Sequence, residues 1–261
     1  MVYGDYDVDG MSATSLLVHN LKALGAKVSF HIPDRVKEGY GFNLPALQQI
    51  AAKGTTLLVS VDCGIASVDD VEKMKGKLDI IVTDHHLPGD TLPDALAVVN
   101  PHRADCPYPD KELCGAGVAF KLCQALWREL EDEDYVQDLE LVALGTVADI
   151  VPLTGENRRI VKEGLAAMPK SSFAGIQALI KVAGIQDKAV NTGHVGFQLA
   201  PRLNAAGRIG SGVKGVRLLL SESKEEADKL AFELDLLNSQ RQAKPLAFVA
   251  EKGDQVVPSC A

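Results

Sequence analysis

The chain has 261 residues, of which 46% are hydrophobic and 24% are charged, and its formal net charge is −8. This composition is typical of a globular protein that can bury a sizeable core. The negative net charge disfavours a protein that coats nucleic acid nonspecifically, but it is compatible with a local basic groove. No apolar run approaches the roughly 20 residues that cross a bilayer, and no export leader or CxxC pair is evident, so we expect a reduced, cytoplasmic protein.

The first half of the chain alternates short apolar runs with helical stretches. Strands are predicted at residues 28–33, 55–61, 78–83 and 96–100, all apolar enough to be buried on both faces. Helices are predicted between them at residues 11–24, 44–53 and 66–76. This alternation predicts an α/β fold built on a parallel β-sheet flanked by helices. The short stub at residues 1–3 predicts that a first strand has been clipped.

From about residue 113 the pattern becomes helical. Helical segments are predicted at residues 115–130, 138–151, 156–168 and 172–184. The Gly- and Asn-rich stretch 196–212 is predicted to be irregular, and residues 223–242 are predicted to form a long amphipathic helix. The tail after Pro245 shows no clear pattern.

Acidic residues and histidines follow three of the strands. Asp5, Asp7 and Asp9 follow the first stub, Asp62 follows the run 55–61, and the Asp84-His85-His86 triplet follows the run 78–83. The carboxyl ends of parallel strands share one edge, where ligands bind in open α/β sheets. Clustered carboxylates repel one another unless cations neutralise them, so we expect a metal site there.

The nature of the metal follows from the donors. GDYDVDG begins like an EF-hand calcium loop, but Leu16 occupies the position of the bidentate glutamate. Several carboxylates exceed the needs of one ion, and a carboxylate can bridge two metals in hydrolytic sites. An imidazole among oxygens favours Mn²⁺ over Ca²⁺, with Mg²⁺ possible. The sequence therefore predicts one wall of a binuclear hydrolase site.

Structural alternatives stay open for single residues. Asp9 could cap the helix 11–24, because aspartate is a preferred N-cap. His19, His31 and His102 are interpreted as ordinary surface or core histidines. Cys106 and Cys114 could bind zinc, but no second pair stands nearby, which disfavours this interpretation.

Four motifs then identify a resemblance. GDYDVDG, VDCG, TDHH and ALGTVADIVPL, in this order, resemble the DHH phosphoesterase superfamily. IPDRVKEGYGFN, VNPHRADCPYPDKELCGAGVAFKL and GFQLAPRLNAAGRIG resemble its RecJ type, the exonucleases that degrade single-stranded DNA from 5′ to 3′. The resemblance runs from residue 2 to about 242. It implies a DHH catalytic domain at 1–182, a phosphate-binding motif and connecting helix at 183–245, and an unassigned tail at 246–261.

The resemblance also implies roles for particular residues. The matching metal ligands are Asp7, Asp9, Asp62, His85 and Asp149, with Asp62 in the bridging position and Asp5 as a further candidate. Asp84 is implied as a ligand or as the partner that orients a histidine, and His86 as the histidine that faces the phosphate. Catalysis would thus depend on Asp62, Asp84 and His86. The substrate phosphate would be held by Arg202, Asn204 and Arg208.

The chain departs from the family pattern in two places. Tyr3 stands where many members carry a histidine, and a phenol is a poor metal ligand at neutral pH. The family's second domain of the catalytic cleft, with its glycine-rich substrate motif, has no counterpart after residue 245, so we expect a truncated chain.

The functional expectation is a single-stranded-DNA exonuclease of DNA repair and recombination that uses two divalent cations. Its expected partners are single-stranded DNA and a single-strand-binding protein or helicase; it is expected to be monomeric and away from membranes. Tyr40, Phe42 and Phe197 are the candidates for stacking on bases. The alternatives are a phosphodiesterase for oligonucleotides or cyclic dinucleotides, a catalytically impaired nucleic-acid-binding fragment and, less favoured, a pyrophosphatase.

Overall fold

The structure is a computed structural model that describes residues 1–208 and 212–253, without the side chains of Arg208 and of residues 243–253. The expectations for the Arg208 side chain and for residues 254–261 therefore lie outside the described residues.

Five parallel strands form one sheet in the order β2-β1-β3-β4-β5. Their bounds are β1 Val2–Tyr3, β2 Phe30–His31, β3 Leu57–Ser60, β4 Asp79–Thr83 and β5 Ala97–Val99. The four predicted strands are confirmed, each shorter than expected. Because the strand order reverses between β1 and β3, this fold has a topological switch point there, and ligands bind at such points.

Helices cover both faces of the sheet, as the alternating pattern predicted. The flanking helices of the first half are α1 Val8–Ala23, α2 Leu44–Ala52 and α3 Val68–Met74. One core, around Leu47, Met74 and Ile80, lies between the sheet and helices α2 and α3. The second and larger core contains Leu16 and Leu17 of α1 together with the helices that follow the sheet.

The second half is helical. Its helices are α4 Gly115–Glu131, α5 Leu139–Ala148, α6 Gly155–Ala167, α7 Ala174–Val182, α8 Thr192–His194, α9 Ala200–Arg208, α10 Gly212–Leu219 and α11 Lys224–Gly253. Helix α1 packs against α4 and α5, so the end of α5 reaches the sheet edge. The connecting helix is confirmed and continues beyond the predicted residue 242. No helix among the described residues has the length and hydropathy that a membrane crossing requires.

The prediction of an irregular segment at 196–212 is wrong. A π-helical turn, Val195–Leu199, leads into α9, and residues 209–211 lie outside the described part. Leu203, Ala205 and Ala206 are fully buried, so tertiary packing outweighs the weak helix propensity of the Gly- and Asn-rich sequence. Position 207 accommodates only glycine, because the Cβ of any other residue would lie 2.1 Å from the carbonyl oxygen of Tyr6.

Candidate metal centre

The first aspartates of the chain lie where β1 passes into α1. Helix α1 begins at Val8, three residues earlier than predicted, because Asp7 caps it: its Oδ1 accepts a hydrogen bond of 3.0 Å from the Gly10 N–H. The alternative that Asp9 caps this helix is therefore wrong. Asp9 lies in the first turn and is free to face the next strand ends.

Asp9 is held by the N-terminus of α4. Its two carboxylate oxygens accept hydrogen bonds from the N–H groups of Gly115, at 2.6 Å, and Ala116, at 2.9 Å. The first backbone N–H groups of a helix have no partner within the helix, and its dipole favours an anion there. A carboxylate that is only 2% exposed is thus stabilised without a positively charged side chain.

Asp62 follows β3 on the other side of the switch point. Its φ of +60° lies in the left-handed region, where aspartate is tolerated, and the residue is 2% exposed. Its Oδ1 lies 3.1 Å from Nε2 of His85, yet neither atom makes a hydrogen bond. Two buried polar atoms that face each other without a hydrogen bond are a costly arrangement for the protein alone.

His85, after β4, is the point at which the distant acids meet. Besides its contact with Asp62, its Nε2 lies 3.8 Å from Oδ2 of Asp9 and 3.7 Å from Oδ2 of Asp149. Asp149 is the C-cap of α5 and reaches the site from the helical half of the chain. The structure therefore brings together four of the residues that the resemblance grouped as ligands: Asp9, Asp62, His85 and Asp149.

Asp84 orients the histidine pair. It is fully buried, and its Oδ1 accepts hydrogen bonds from the His85 N–H, at 2.7 Å, and from Nδ1 of His86, at 2.8 Å. Its Oδ2 accepts from the Ile65 N–H at 2.9 Å. These contacts occupy both oxygens, which favours the orienting role of Asp84 over that of a ligand.

The same contacts set the charge of His86. Burial by itself would raise the pKa of Asp84, but the hydrogen bonds from His86 and Ile65 outweigh it and hold that pKa below its usual value. In return the bond to Asp84 raises the pKa of His86 against the opposite effect of burial. His86 therefore favours the imidazolium form, and the hydroxyl of Tyr40 lies 3.2 Å from its Nδ1.

The acids have a high proton affinity in the absence of cations. Burial, followed by the charge of Asp7, raises the pKa of Asp5 to about 7. Burial is also the main cause that raises the pKa values of Asp7, Asp9, Asp62 and Asp149. Carboxylates collected in a low-dielectric site need either protons or metal ions to neutralise them.

The residues present fit divalent cations. Among the acids and histidines of the site, three buried atoms have no hydrogen-bond partner, namely Oδ1 of Asp5, Oδ1 of Asp62 and Nε2 of His85. Three sets of donors each lie within 4.8 Å of one another: Asp9 with His85 and Asp149, Asp5 with Asp7 and Asp62, and Asp62 with His85 and His86. Asp62 belongs to two of the sets, as a bridging residue would.

Tyr3 does not take part in this centre. It is fully buried, its hydroxyl donates to the carbonyl of Gly41 at 3.1 Å, and its ring meets that of Phe42 edge to face. Burial raises the pKa of its hydroxyl, so it remains protonated and is a poor ligand. Tyr3 is therefore a core residue of this chain.

Two residues after β5 contact the backbone of the histidine pair, and sequence reasoning had not singled out the first of them, Asn100. The Asn100 side chain donates to the carbonyl of His86 at 2.9 Å, and Nδ1 of His102 lies 2.6 Å from the carbonyl of His85. This contact gives His102 a structural role, and among the described residues His102 belongs to no group with metal-ligand geometry, which agrees with its interpretation as an ordinary histidine. The signal for Asn100 was the VNPH run, which lies at the end of β5, beside the end of β4.

The other histidines and the cysteines considered in the sequence analysis lie outside the metal centre. His31 contacts Glu38 at 3.0 Å, and His19 packs against Phe173, so both serve ordinary structural roles. Cys114 is buried at the start of α4 next to Thr146, and among the described residues no group with metal-ligand geometry contains a cysteine.

The expected phosphate-binding residues are placed unevenly. Asn204 lies with Asp5 and Asp7 in a groove of about 350 Å³ that also includes Arg35. Arg202 does not line this groove. Its Nε donates to Asp235 of α11 at 2.8 Å, and its Nη1 donates to the carbonyl of Gln198 at 2.7 Å. Its phosphate-binding role stays a prediction.

Arg35 was missed among the candidate site residues. It is exposed, and its guanidinium lies 5.3 Å from the centre of the Tyr6 ring, in the groove that contains the acids. The available signal was its place in IPDRVKEGYGFN, between β2 and the part of the chain that carries Tyr40.

A doubly wound parallel sheet with a carboxylate and histidine cluster at its switch point defines an α/β metalloprotein. The chain belongs to the DHH family: the profile described as the DHH family, N-terminal domain, matches residues 1–146. That region contains every strand of the sheet and, apart from Asp149, all candidate ligands.

Curated and solved relatives extend the similarity along the chain. The chain is 50% identical over 243 residues to the single-stranded-DNA-specific exonuclease RecJ of Bacillus subtilis, covering 93% of this chain and 30% of that protein. It is 42% identical over 256 residues to RecJ of Escherichia coli, covering 93% of this chain and 44% of that protein. The chain thus spans less than half the length of these relatives.

Solved structures agree in fold. A crystal structure of exonuclease RecJ bound to manganese superposes with a TM-score of 0.88 at 41% identity and covers 98% of this chain and 65% of that one. RecJ of Thermus thermophilus in complex with Mn²⁺ gives a TM-score of 0.84 at 39% identity, covering 98% of this chain and 37% of that one.

Proposed function

We propose that this chain is the metal-dependent catalytic part of a single-stranded-DNA exonuclease that releases nucleotides in the 5′ to 3′ direction. The observation that carries the proposal is the meeting of Asp9, Asp62, His85 and Asp149 at the switch point of the sheet. The similarity to single-stranded-DNA-specific RecJ exonucleases over almost the whole chain supports the substrate. The 5′ to 3′ polarity is proposed from the resemblance of the sequence motifs alone.

Two divalent cations are the proposed cofactors, Mn²⁺ before Mg²⁺. Solved RecJ relatives contain one or the other, and the mixed oxygen and nitrogen donors suit both. We assign Asp9, His85 and Asp149 to one ion and Asp5 and Asp7 to the other, with Asp62 shared. When bound, such ions supply an activated water and neutralise charge on the phosphate.

The protein's own groups position and stabilise the phosphate. His86, whose imidazolium form is favoured by Asp84, would donate a charge-assisted hydrogen bond to a non-bridging oxygen, where negative charge increases in the transition state. Asn204 and Arg35 would contact the neighbouring phosphate from the groove. Arg202 and Arg208 are retained as proposed contacts; Arg202 would exchange Asp235 for the phosphate.

Selection of single strands would use exposed aromatic rings. Tyr40, beside His86, and Phe197, which is 85% exposed, remain candidates for stacking on bases. Phe42 is withdrawn, because it is 6% exposed and packs against Tyr3 in the core.

A second candidate, an oligonucleotide or cyclic-dinucleotide phosphodiesterase, has one observation in its favour. A groove of about 350 Å³ lies beside the proposed ligands Asp5 and Asp7. A groove of this volume suits a substrate of one or two nucleotides as well as the end of a polymer.

The wider setting is proposed from the resemblance of the sequence motifs alone. A role in DNA repair and recombination, a cytoplasmic location and a single-strand-binding protein or helicase as partner fit an exonuclease of this type. A monomer is the proposed oligomeric state.

The test uses single-stranded DNA labelled at either end, with Mn²⁺, and compares the wild type with Asp62→Asn and Asp69→Asn. Asparagine tolerates the left-handed backbone at position 62, and Asp69 is an exposed residue on α3. We expect wild type and Asp69→Asn to release mononucleotides from the 5′ end and Asp62→Asn to lose more than about a hundredfold in rate. A wild type that cleaves a dinucleotide but not the long strand would favour the second candidate, and an unaffected Asp62→Asn would refute both.

A further inference from the structure

Ile150 combines two unfavourable features. Its φ is +62°, in the left-handed region, and its side chain is 86% exposed. Among the described residues with positive φ, the other non-glycine ones are all aspartates, which tolerate this region. For a β-branched residue the same conformation is a genuine outlier, and strained residues of this kind cluster at functional sites.

The position of Ile150 connects it with the metal centre. It follows Asp149 directly, and Oδ2 of Asp149 lies 3.7 Å from Nε2 of His85. The segment is well anchored, because Asn157, which is fully buried, donates to the carbonyl of Pro152 at 3.1 Å. Ile150 therefore presents an aliphatic side chain to solvent from a fixed backbone beside a ligand.

A second exposed aliphatic side chain accompanies it. Leu87 is 78% exposed and directly follows His86, the histidine proposed to face the phosphate. Two residues of the metal centre, His86 and Asp149, are thus each followed by an exposed aliphatic residue.

Folding alone does not account for Ile150. A side chain that is 86% exposed contributes little to a core, and glycine would end α5 in the same conformation without strain. An exposed aliphatic residue is common, but one held in a strained backbone beside metal ligands is not. Among the described residues the side chain is therefore available for a contact with another molecule.

Resting on the proposed function, we propose that Ile150 is a specificity-determining residue that packs against the face of the base next to the scissile phosphate. Aliphatic side chains are used elsewhere as wedges between neighbouring bases, and every base offers an apolar face. This contact requires an unstacked base, so it contributes to the selection of single strands without selecting a sequence.

The test replaces Ile150 by glycine, which fits the backbone and removes the side chain. We expect the thermal midpoint to stay the same or rise and Mn²⁺ affinity to remain unchanged. KM for single-stranded DNA should rise about tenfold, the effect of exposing a buried aliphatic side chain, and kcat should change less than about twofold. Two controls act far from the site: Leu130→Ala removes an aliphatic side chain that is 60% exposed, and Asp132→Gly relaxes a backbone with φ of +56°.

A substrate change identifies the base as the contact. The second substrate is a strand that lacks the base next to the scissile phosphate. On this strand the KM of the wild type should rise to that of Ile150→Gly, and the KM of Ile150→Gly should not rise further. Additive losses, an unchanged KM in Ile150→Gly, or equal changes in the two controls would overturn the inference. A wild type without nuclease activity would instead refute the proposed function itself.

Discussion

Replacing Gly115 by alanine tests how tightly α4 is fitted against the metal centre. A Cβ at this position would lie 2.5 Å from Cβ of Asp62 and 2.7 Å from its Oδ1, closer than real carbon atoms approach. The Gly115 N–H also donates to Asp9 at 2.6 Å. The added methyl group must therefore displace either Asp62 or the start of α4, and so disturb two proposed ligands.

The magnitudes favour a loss. Alanine gains up to about 1 kcal/mol of helix propensity over glycine, but overpacking a filled site costs about 1–3 kcal/mol. The net destabilisation of up to about 2 kcal/mol corresponds to a fall in thermal midpoint of up to roughly 8 °C in a chain of this size. Because moving groups around metal ligands typically costs 10–100-fold in affinity, Mn²⁺ binding should weaken by at least about tenfold.

The assay is calorimetric titration with Mn²⁺, combined with thermal unfolding with and without the ion. Gly117→Ala is the matched control, because it lies on the same helix and its Cβ would meet only Leu113, at 3.2 Å. We expect the control to bind Mn²⁺ like the wild type. Equal Mn²⁺ affinity in the two variants would refute the argument that the space beside Gly115 belongs to the metal site.

Three further predictions follow from the charges and contacts of the site. Asp84→Asn removes the anion that raises the pKa of His86, so the alkaline limb of the activity–pH profile should move to lower pH; an unmoved limb would contradict the orienting role. Since the folded pKa of Asp5 is about 7 and its unfolded value about 3.9, its stabilising effect is complete below pH 4 and is lost as the pH rises towards and through 7. The thermal midpoint of the chelator-treated protein should therefore be higher at pH 5 than at pH 7.5, and Mn²⁺ should reverse that order; the same order with Mn²⁺ present would contradict it. Tyr3→Phe removes the hydrogen bond to Gly41 and should cost about 1 kcal/mol in thermal unfolding while Mn²⁺ affinity stays constant; a fall in affinity would make Tyr3 part of the centre.

The sheet edge could be predicted from the sequence because strand ends are local features. Asp62 and His85 follow apolar runs, and a parallel sheet brings such ends to one edge whatever the details of packing. Asp149 could not be found in this way, since it ends an apolar helix whose approach to the sheet depends on how α5 packs against α1. Only the resemblance to the family indicated it.

Three further features of the site region depend on the tertiary structure and could not be predicted from the sequence. Asp9 is held by the N–H groups of Gly115 and Ala116, which carry no side-chain signal. The left-handed conformation of Ile150 runs against its own preference and is imposed by the surrounding structure. The pairing of Arg202 with Asp235 depends on the position of α11, which lies far along the chain.

Anomalous diffraction from crystals grown with Mn²⁺ tests the central claim most directly. If residues from three strand ends and one helix end jointly bind a pair of cations, two peaks should appear beside His85, with Asp62 in contact with both. A single peak away from Asp62, or no peak at the switch point, would contradict the account.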